Sequence, residues 1–303
     1  MTDSKAASFD ESQLRHPLER PYFLASVILS LIVVAAAIVI IVFAPDWLKS
    51  HAMLSKEATL VRAALVAALA GAPLLALVRH RRDAYVHGQS IRLSRNQFAP
   101  IYEILEKQSQ RLGMTEVPGL YITDKGIPPY SKAFSTRSDH SIVLHQNLFE
   151  VDLQKTLDVA AFTIGYELGR IRLGHTDWLD EMLLTYIFVV PFLANPLRQL
   201  RTFSRDRYGA YLAPDGFRGL LFAASARRLL NNVNVDDYLK QADSYGGSWV
   251  KSARYFYDVP AALRRVQELK SAGFGDFLRP KSESPAPGGR AGGIPPESSK
   301  SGA

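Results

Sequence analysis

The 303-residue chain has no cysteine. That absence excludes a disulfide framework, cysteine-ligated zinc, an iron–sulfur cluster and a thiol nucleophile. It also lacks a glycine-rich loop able to cradle a phosphate, and it has no internal repeat. A formal net charge of +7 admits nucleic acid or an anionic membrane as partner. No stripe of interleaved basic and aromatic residues is present, so nucleic acid is not expected. Hydrophobic residues make up 47% of the chain, enough for a sizeable core.

Much of that apolar content lies in two runs. Tyr22 to Ala44 gives 23 consecutive uncharged, mostly apolar positions. A helix rising 1.5 Å per residue crosses about 30 Å of hydrocarbon with about 20 residues. The run is longer than the apolar stretch of a signal peptide, and no small-residue cleavage site follows it. The second run, Ala63 to Val78, is uncharged for 16 residues, and Arg62 at its edge can snorkel to the interface. Two transmembrane helices are therefore expected within residues 21–80, after an N-terminal tail of residues 1–20. Arg79, Arg81, Arg82, Arg92 and Arg95 follow the second run, and Lys5, Arg15 and Arg20 precede the first. The connecting loop is lighter in cations, with Lys49, Lys56 and Arg62. The positive-inside rule then places both termini in the cytoplasm, with a short external hairpin near Asp46 to Lys56.

Residues 85–277 have the composition of a globular domain. Phe98, Ile101, Leu105 and Leu112 recur at helical spacing, and Gly113 follows as a stop. Gly119–Thr123 and Ser141–Leu144 read as strands, separated by a turn-rich stretch at Asp124–Pro129. Helices are expected at about Leu153–Arg172, Arg198–Ala213, Phe217–Leu230 and Ala261–Ala272. A third apolar run, Met182–Leu197, contains Pro191 and Pro196. It is short for a span, and its prolines interrupt backbone hydrogen bonding, so it is expected not to cross the membrane. Residues 279–303 form a Pro/Gly/Ser tail, expected to be disordered.

The main functional clue is the segment Leu157 to His175, LDVAAFTIGYELGRIRLGH. It resembles the zinc-site helix of HtpX-type membrane metallopeptidases, the family that includes the CAAX prenyl proteases. In that family an HExxH sequence is followed by an apolar residue and then a Gly–His pair. Two histidines four apart share a helix face and reach the zinc, and the glutamate between them polarises the attacking water. Here the five positions read Tyr166, Glu167, Leu168, Gly169 and Arg170, with Ile171, Gly174 and His175 in their expected places. The third ligand of the family is a glutamate on a later helix. The stretch FLANPLRQLRTFSRDRYGAYLAP resembles that helix, anchored on Asp206, Arg207, Tyr208, Gly209 and Ala210. The ligand position then falls on Thr202, whereas an alternative register puts it at Tyr208. Ala133-Phe134 followed by SIVLHQNLFE resembles the edge strand and short connection before the zinc helix. Val259-Pro260 to Leu269 resembles a closing helix that begins at a proline and carries an arginine. The resemblance spans about residues 20 to 273.

The resemblance implies a mainly α (α+β, zincin-like) cytoplasmic domain with a small β-sheet on two N-terminal transmembrane helices. It also implies a site in which Glu167 is kept and every metal ligand is lost. Tyr166 offers a neutral phenol, Arg170 a permanent cation without a lone pair, and Thr202 a weak neutral hydroxyl. A catalytic zinc needs three good protein ligands and one open position. Arg170 lies three residues after Glu167 and can take the place of the cation, or the two form an ordinary solvated helix pair.

The other candidates carry weaker signals. His175 fits a structural helix-end residue bonded to a carbonyl or carboxylate. His140 and His145 flank a strand five residues apart and point to opposite faces, so they do not share an ion. Ser131, Ser135 and Ser138 are expected in a loop with no matched His and Asp. Asp236–Asp237 reads as a helix start.

The expectation is a catalytically degenerate metallopeptidase homologue in a bacterial inner membrane. No cofactor is expected, and the partners are the lipid bilayer and a protein or peptide. The alternatives are an active zinc endopeptidase and a plain membrane-anchored interaction protein.

Overall fold

The computed structural model describes residues 11–49, 55–125, 131–135, 139–149, 153–188, 190–224, 233–253 and 255–278. The chain is mostly helical with one small mixed sheet. A short helix α1 (Glu11–Leu14) leads into α2 (Glu19–Lys49), and α3 (Ser55–Gly88) follows. Within α2, Glu19–Phe43 is long and apolar enough to cross a membrane, and α3 carries a shorter apolar stretch, Thr59–Leu75. α2 and α3 pack against each other.

The domain that follows begins with β1 (Ile91–Arg92) and α4 (Ala99–Arg111). It continues through β2 (Gly119–Thr123), β3 (Ser131–Ser135), β4 (His140–His145) and a 3-10 turn at Gln146–Phe149. The sheet order is β1-β2-β4-β3. β2 pairs parallel with β4, and β3 pairs antiparallel with β4, Ala133 opposite Ile142. β4 reads as an unbroken apolar run because both its faces are covered. Leu120, Ile142 and Leu144 enter the main core, whereas Val143 packs with Val86, Tyr121 and Phe134 on the other face. The last turn of α3 thus covers the outer side of the sheet, with the His87 ring tilted 57° against the Tyr121 ring at 4.1 Å.

α5 (Leu153–Arg172) crosses beneath the sheet and buries Val159, Ile164 and Leu168. α6 (Trp178–Phe188) and α7 (Pro191–Leu212) follow, then α8 (Phe217–Ala224), α9 (Val235–Ser244), α10 (Ser248–Ala253) and α11 (Ala262–Ser271). α5 and α7 make the most extensive helix pair, and small residues set its closeness. A Cβ on Gly165 would lie 3.2 Å from the Gly209 Cα, and one on Gly169 would lie 2.5 Å from the Tyr208 Cβ. The glycines inside the motif segment therefore serve helix packing.

Several expectations need correction. Residues 14–19 are not a tail. Leu14, His16 and Glu19 are buried, and α1 packs on α7. Ser131 and Ser135 lie on a strand rather than in a loop. That strand, β3, is the edge, and Ser141–Leu144 lies inside the sheet. SKAFS lacks an apolar alternation because the buried position Ser131 is filled by a polar side chain that donates to the buried Glu167. The helix expected from Arg198 starts at Pro191, with proline at its first position, where no N–H is required. Pro196 sits inside α7 without ending it. The apolar run 182–197 is consequently divided between two helices. α6 and α7 fold back on each other and are tied at their base by an ion pair between Asp180 and Arg201. Asp236 and Asp237 do open α9, capped by Asn234, which accepts from both of their backbone N–H groups. The tail 279–303, Ser138, residues 225–230, most of the 124–129 turn and the centre of the loop near 46–56 lie outside the described residues.

The α5–α7 contact generates a stability prediction. Gly169→Ala gains helix propensity of about 1 kcal/mol. It also forces a methyl into the buried Tyr208 Cβ and Cγ, and overpacking of this kind costs about 1–3 kcal/mol or more. Net destabilisation is expected, seen as a lower unfolding temperature in detergent. An unchanged or raised temperature would contradict the packing geometry.

Candidate functional site

Glu167 stands in the C-terminal half of α5, on the face that meets β3. Its side chain is 1% exposed. Ser131 Oγ donates to Oε1 at 2.6 Å, and the Ala133 backbone N–H donates to Oε2 at 2.8 Å. Arg170 Nη1 lies 3.7 Å from Oε2. Both carboxylate oxygens are thus engaged, one by a side chain and one by the outward-facing N–H of the edge strand. A buried carboxylate requires such partners, because its charge is otherwise strongly penalised. At this burial the pair is not a solvated one.

Glu167 opens on a cavity of about 800 Å³ between β3, α5, α7 and the segment before α11. Tyr166, Arg170 and Thr202 all line it, so the structure brings together the three positions singled out as replaced ligands. Thr202 faces the cavity between Arg198 and Arg205, one turn to either side. Its hydroxyl donates to the Arg198 carbonyl at 3.0 Å. Tyr208, the alternative position, is buried behind, against Gly169.

Asp206 is buried on α7 and accepts two bonds from Arg265 on α11, at 2.8 and 2.5 Å. Burial opposes the charge on Arg265, but the Asp206 carboxylate outweighs it and holds the guanidinium above its usual value. Arg265 and Arg205 also sit over the Tyr166 ring, at 5.7 and 5.8 Å. Asp206 is therefore the tie that seats the closing helix against the cavity.

The lining is rich in cations: Arg170, Arg198, Arg201, Arg205 and Arg265, against Glu167, Asp139 and Asp258. The rest is apolar, including Phe134, Phe162, Phe188 and Phe222. Zinc does not fit this donor set. A phenol and a hydroxyl are weak donors, and the guanidinium groups repel a cation. The Glu167 oxygens are already committed to Ser131 and Ala133.

His175 lies at the end of the same helix region, at the junction with α2. Its Nε2 is 2.9 Å from Glu19 Oε1, and Arg205 Nε donates to its Nδ1 at 3.2 Å. Ser204 donates to the other Glu19 oxygen and accepts from the His16 backbone N–H at 2.9 Å. The expected carboxylate bond of His175 is present, and its partner comes from the start of the apolar helix. Sequence reading missed this network because Glu19 lies 156 residues away. A lone acidic residue at the head of a long apolar run was the available signal.

His140 and His145 occupy opposite ends of β4, roughly 16 Å apart at strand spacing. Ser135 Oγ meets His140 Nδ1 at 2.6 Å and also bonds the Thr176 hydroxyl. Among the described residues, no three His, Asp or Glu side chains converge on a point that could hold an ion. No family model, curated protein or solved structure matches the chain.

The His175 environment sets a pH dependence. Burial, then the guanidinium groups of Arg205, Arg201 and Arg170, push the imidazole well below its ordinary value. The Arg205 bond to Nδ1 requires the neutral tautomer with a proton on Nε2, which donates to Glu19. The unfolded chain then binds a proton below about pH 6.5 that the folded chain refuses. Stability is full above that pH and falls as pH drops below it, by at most about 1.4 kcal/mol per pH unit. Unfolding temperature measured from pH 8 to pH 5 should fall more steeply for the native chain than for His175→Gln. Parallel profiles would contradict the assignment.

Proposed function

We propose that this chain is a membrane-anchored, catalytically degenerate relative of HtpX-type metallopeptidases, with a zincin-like domain that binds a peptide or protein segment and does not cut it. The observation that supports this reading most is the state of Glu167. The residue that would polarise water instead accepts from Ser131 and the Ala133 N–H, beside the Arg170 cation. Tyr166, Arg170 and Thr202 line the cavity next to it. The arrangement replaces an inorganic cation by a guanidinium while leaving a large groove along the edge strand. The cavity combines apolar walls at Phe134, Phe162, Phe188 and Phe222 with several guanidinium groups, a lining suited to a segment with apolar and anionic parts.

Elemental analysis of the full chain purified without added metal is expected to find no stoichiometric zinc. About one zinc per chain, lost on Glu167→Gln or His175→Gln, would overturn the reading in favour of an active endopeptidase.

The membrane arrangement is proposed on the same footing. α2 crosses the bilayer over Glu19–Phe43, α3 returns through Thr59–Leu75, and the domain faces the cytoplasm of a bacterial inner membrane. The α6–α7 hairpin enters the same layer without crossing it. Tyr186 donates to the Leu69 carbonyl in the apolar stretch of α3 at 3.0 Å, and Arg201 lies over the Phe23 ring near the base. Asn195 and Gln199 hold the carbonyls of Tyr255 and Tyr257. The exposed Phe256 and Tyr257 thus sit beside the hairpin, where aromatic residues favour a membrane–water boundary. In sealed vesicles, single cysteines at the exposed Asp177, before α6, and Asp215, after α7, of this cysteine-free chain should label from one side only, and the same side for both. Labelling from opposite sides would refute the hairpin.

A further inference from the structure

Guanidinium groups gather at the part of the cavity wall next to His175. Arg201 and Arg205 lie one turn apart on α7, and both line the cavity together with His175 and Thr176. Arg201 pairs with Asp180 through one Nη, while its Nε is buried with no hydrogen-bond partner among the described residues. Arg205 donates from Nε to His175 Nδ1 at 3.2 Å and, among the described residues, has no carboxylate within ion-pair distance. The fields of Arg205, Arg201, Arg170 and Arg15 converge on the His175 imidazole and oppose its protonation. Buried donors without acceptors are uncommon and costly, and here they belong to cations.

Thr176, on the link between α5 and α6, adds a hydroxyl. Ser135 Oγ bonds both His140 Nδ1 and Thr176 Oγ1. With the His140 proton on Nδ1, this chain of bonds runs from His140 through Ser135 to Thr176 and leaves the Thr176 O–H to donate onward.

We propose that Arg205, Arg201 and Thr176 bind a phosphate group beside His175. The site needs no peptide in the groove. Its donors come from different directions, two guanidinium groups on α7 and a hydroxyl on the α5–α6 link. A carboxylate accepts mainly within one plane, whereas a tetrahedral phosphate presents oxygens on several sides. Guanidinium groups are weakly hydrated and match phosphate oxygens with paired N–H donors. The depth of the site bears on where the phosphate comes from. Glu19, at the head of the apolar helix, lies 2.9 Å from His175 Nε2, and the Arg201 guanidinium lies 5.6 Å from the Phe23 ring centre. On the membrane arrangement proposed above, this is the level at which α2 enters the bilayer and at which lipid phosphates lie. A phospholipid headgroup and free phosphate offer the same oxygens to these donors.

The test is isothermal titration of the full chain, in a non-ionic detergent and chloride buffer held at constant ionic strength. The probes are inorganic phosphate, dihexanoyl phosphatidylglycerol below its micellar concentration, and acetate. Saturable binding of phosphate or of the lipid is expected, at least tenfold tighter than that of acetate. Arg205→Gln should weaken it at least tenfold, as loss of a charge-assisted contact implies, with Arg205→Lys intermediate and Thr176→Val several-fold weaker. Lys240→Gln, an exposed charge on α9, should leave it unchanged. Unfolding temperatures in chloride buffer report whether each variant is folded, and the two conservative variants decide the matter where Arg205→Gln is not. Lipid binding that phosphate displaces supports the site with a headgroup as its source. Phosphate binding without lipid binding supports it with free phosphate as the source. Absence of binding by both would overturn the proposal and leave the peptide-groove reading standing. Acetate binding as tightly as phosphate would overturn the phosphate assignment. Affinity unchanged in Arg205→Lys and Thr176→Val would overturn these residues as the receptor.

Discussion

A carboxylate buried under an edge strand constrains the whole centre of this protein. Glu167 is removed from water, so its two oxygens must be satisfied from within. They are satisfied by Ser131 and by the backbone of Ala133, both on β3. The bond to Ala133 uses an N–H that points away from β4, which fastens the free edge of the sheet to α5. Arg170, one turn on, balances the charge. The cavity exists because β3 and α5 are held at this separation, with α7 closing the far side.

The second set of constraints concerns how that far side is held. Gly165, Gly169 and Gly209 let α5 and α7 approach closely, and Asp206 fixes α11 through a buried bidentate pair with Arg265. Removing one partner of such a pair costs about 3–5 kcal/mol, because the remaining charge has nowhere to go. Glu19, His175 and Ser204 form a third tie, joining the head of the apolar helix to α5 and α7. The apolar helix α2 and the domain are therefore one packed unit at this junction. A ligand in the cavity would sit one residue contact, Arg205, away from the His175–Glu19 tie.

The functional reading follows from electrostatics. A catalytic zinc site collects donors and anions around a cation. This cavity has guanidinium groups on several sides, and its buried carboxylate Glu167 is already engaged by Ser131 and Ala133. That difference in charge, with Glu167 engaged by Ser131 and Ala133, is what supports the proposed reading.

The local patterns were legible in the sequence because they depend on near neighbours. The long apolar run of α2, the helical spacing in α4, the length of α5 and the Asn234-capped start of α9 all follow from periodicity and capping. The choice of Tyr166, Glu167, Arg170 and Thr202 as one site came from the family resemblance, and tertiary packing decided that all four meet a single cavity. Packing also decided what no spacing could express. SKAFS becomes the edge strand because Glu167 and β4 claim its two sides, although its polar composition reads as loop. Residues 14–19 become core because Ser204 and His175 wait for Glu19 on the other side of the chain. The run 182–197 becomes a hairpin because Asp180 and Arg201, outside the run, need each other. Sequence alone specified which segments had to be helical or apolar, since backbone propensity and hydration act locally. Which charged side chains were paired required partners brought together from far along the chain, as in the 156 positions between Glu19 and His175.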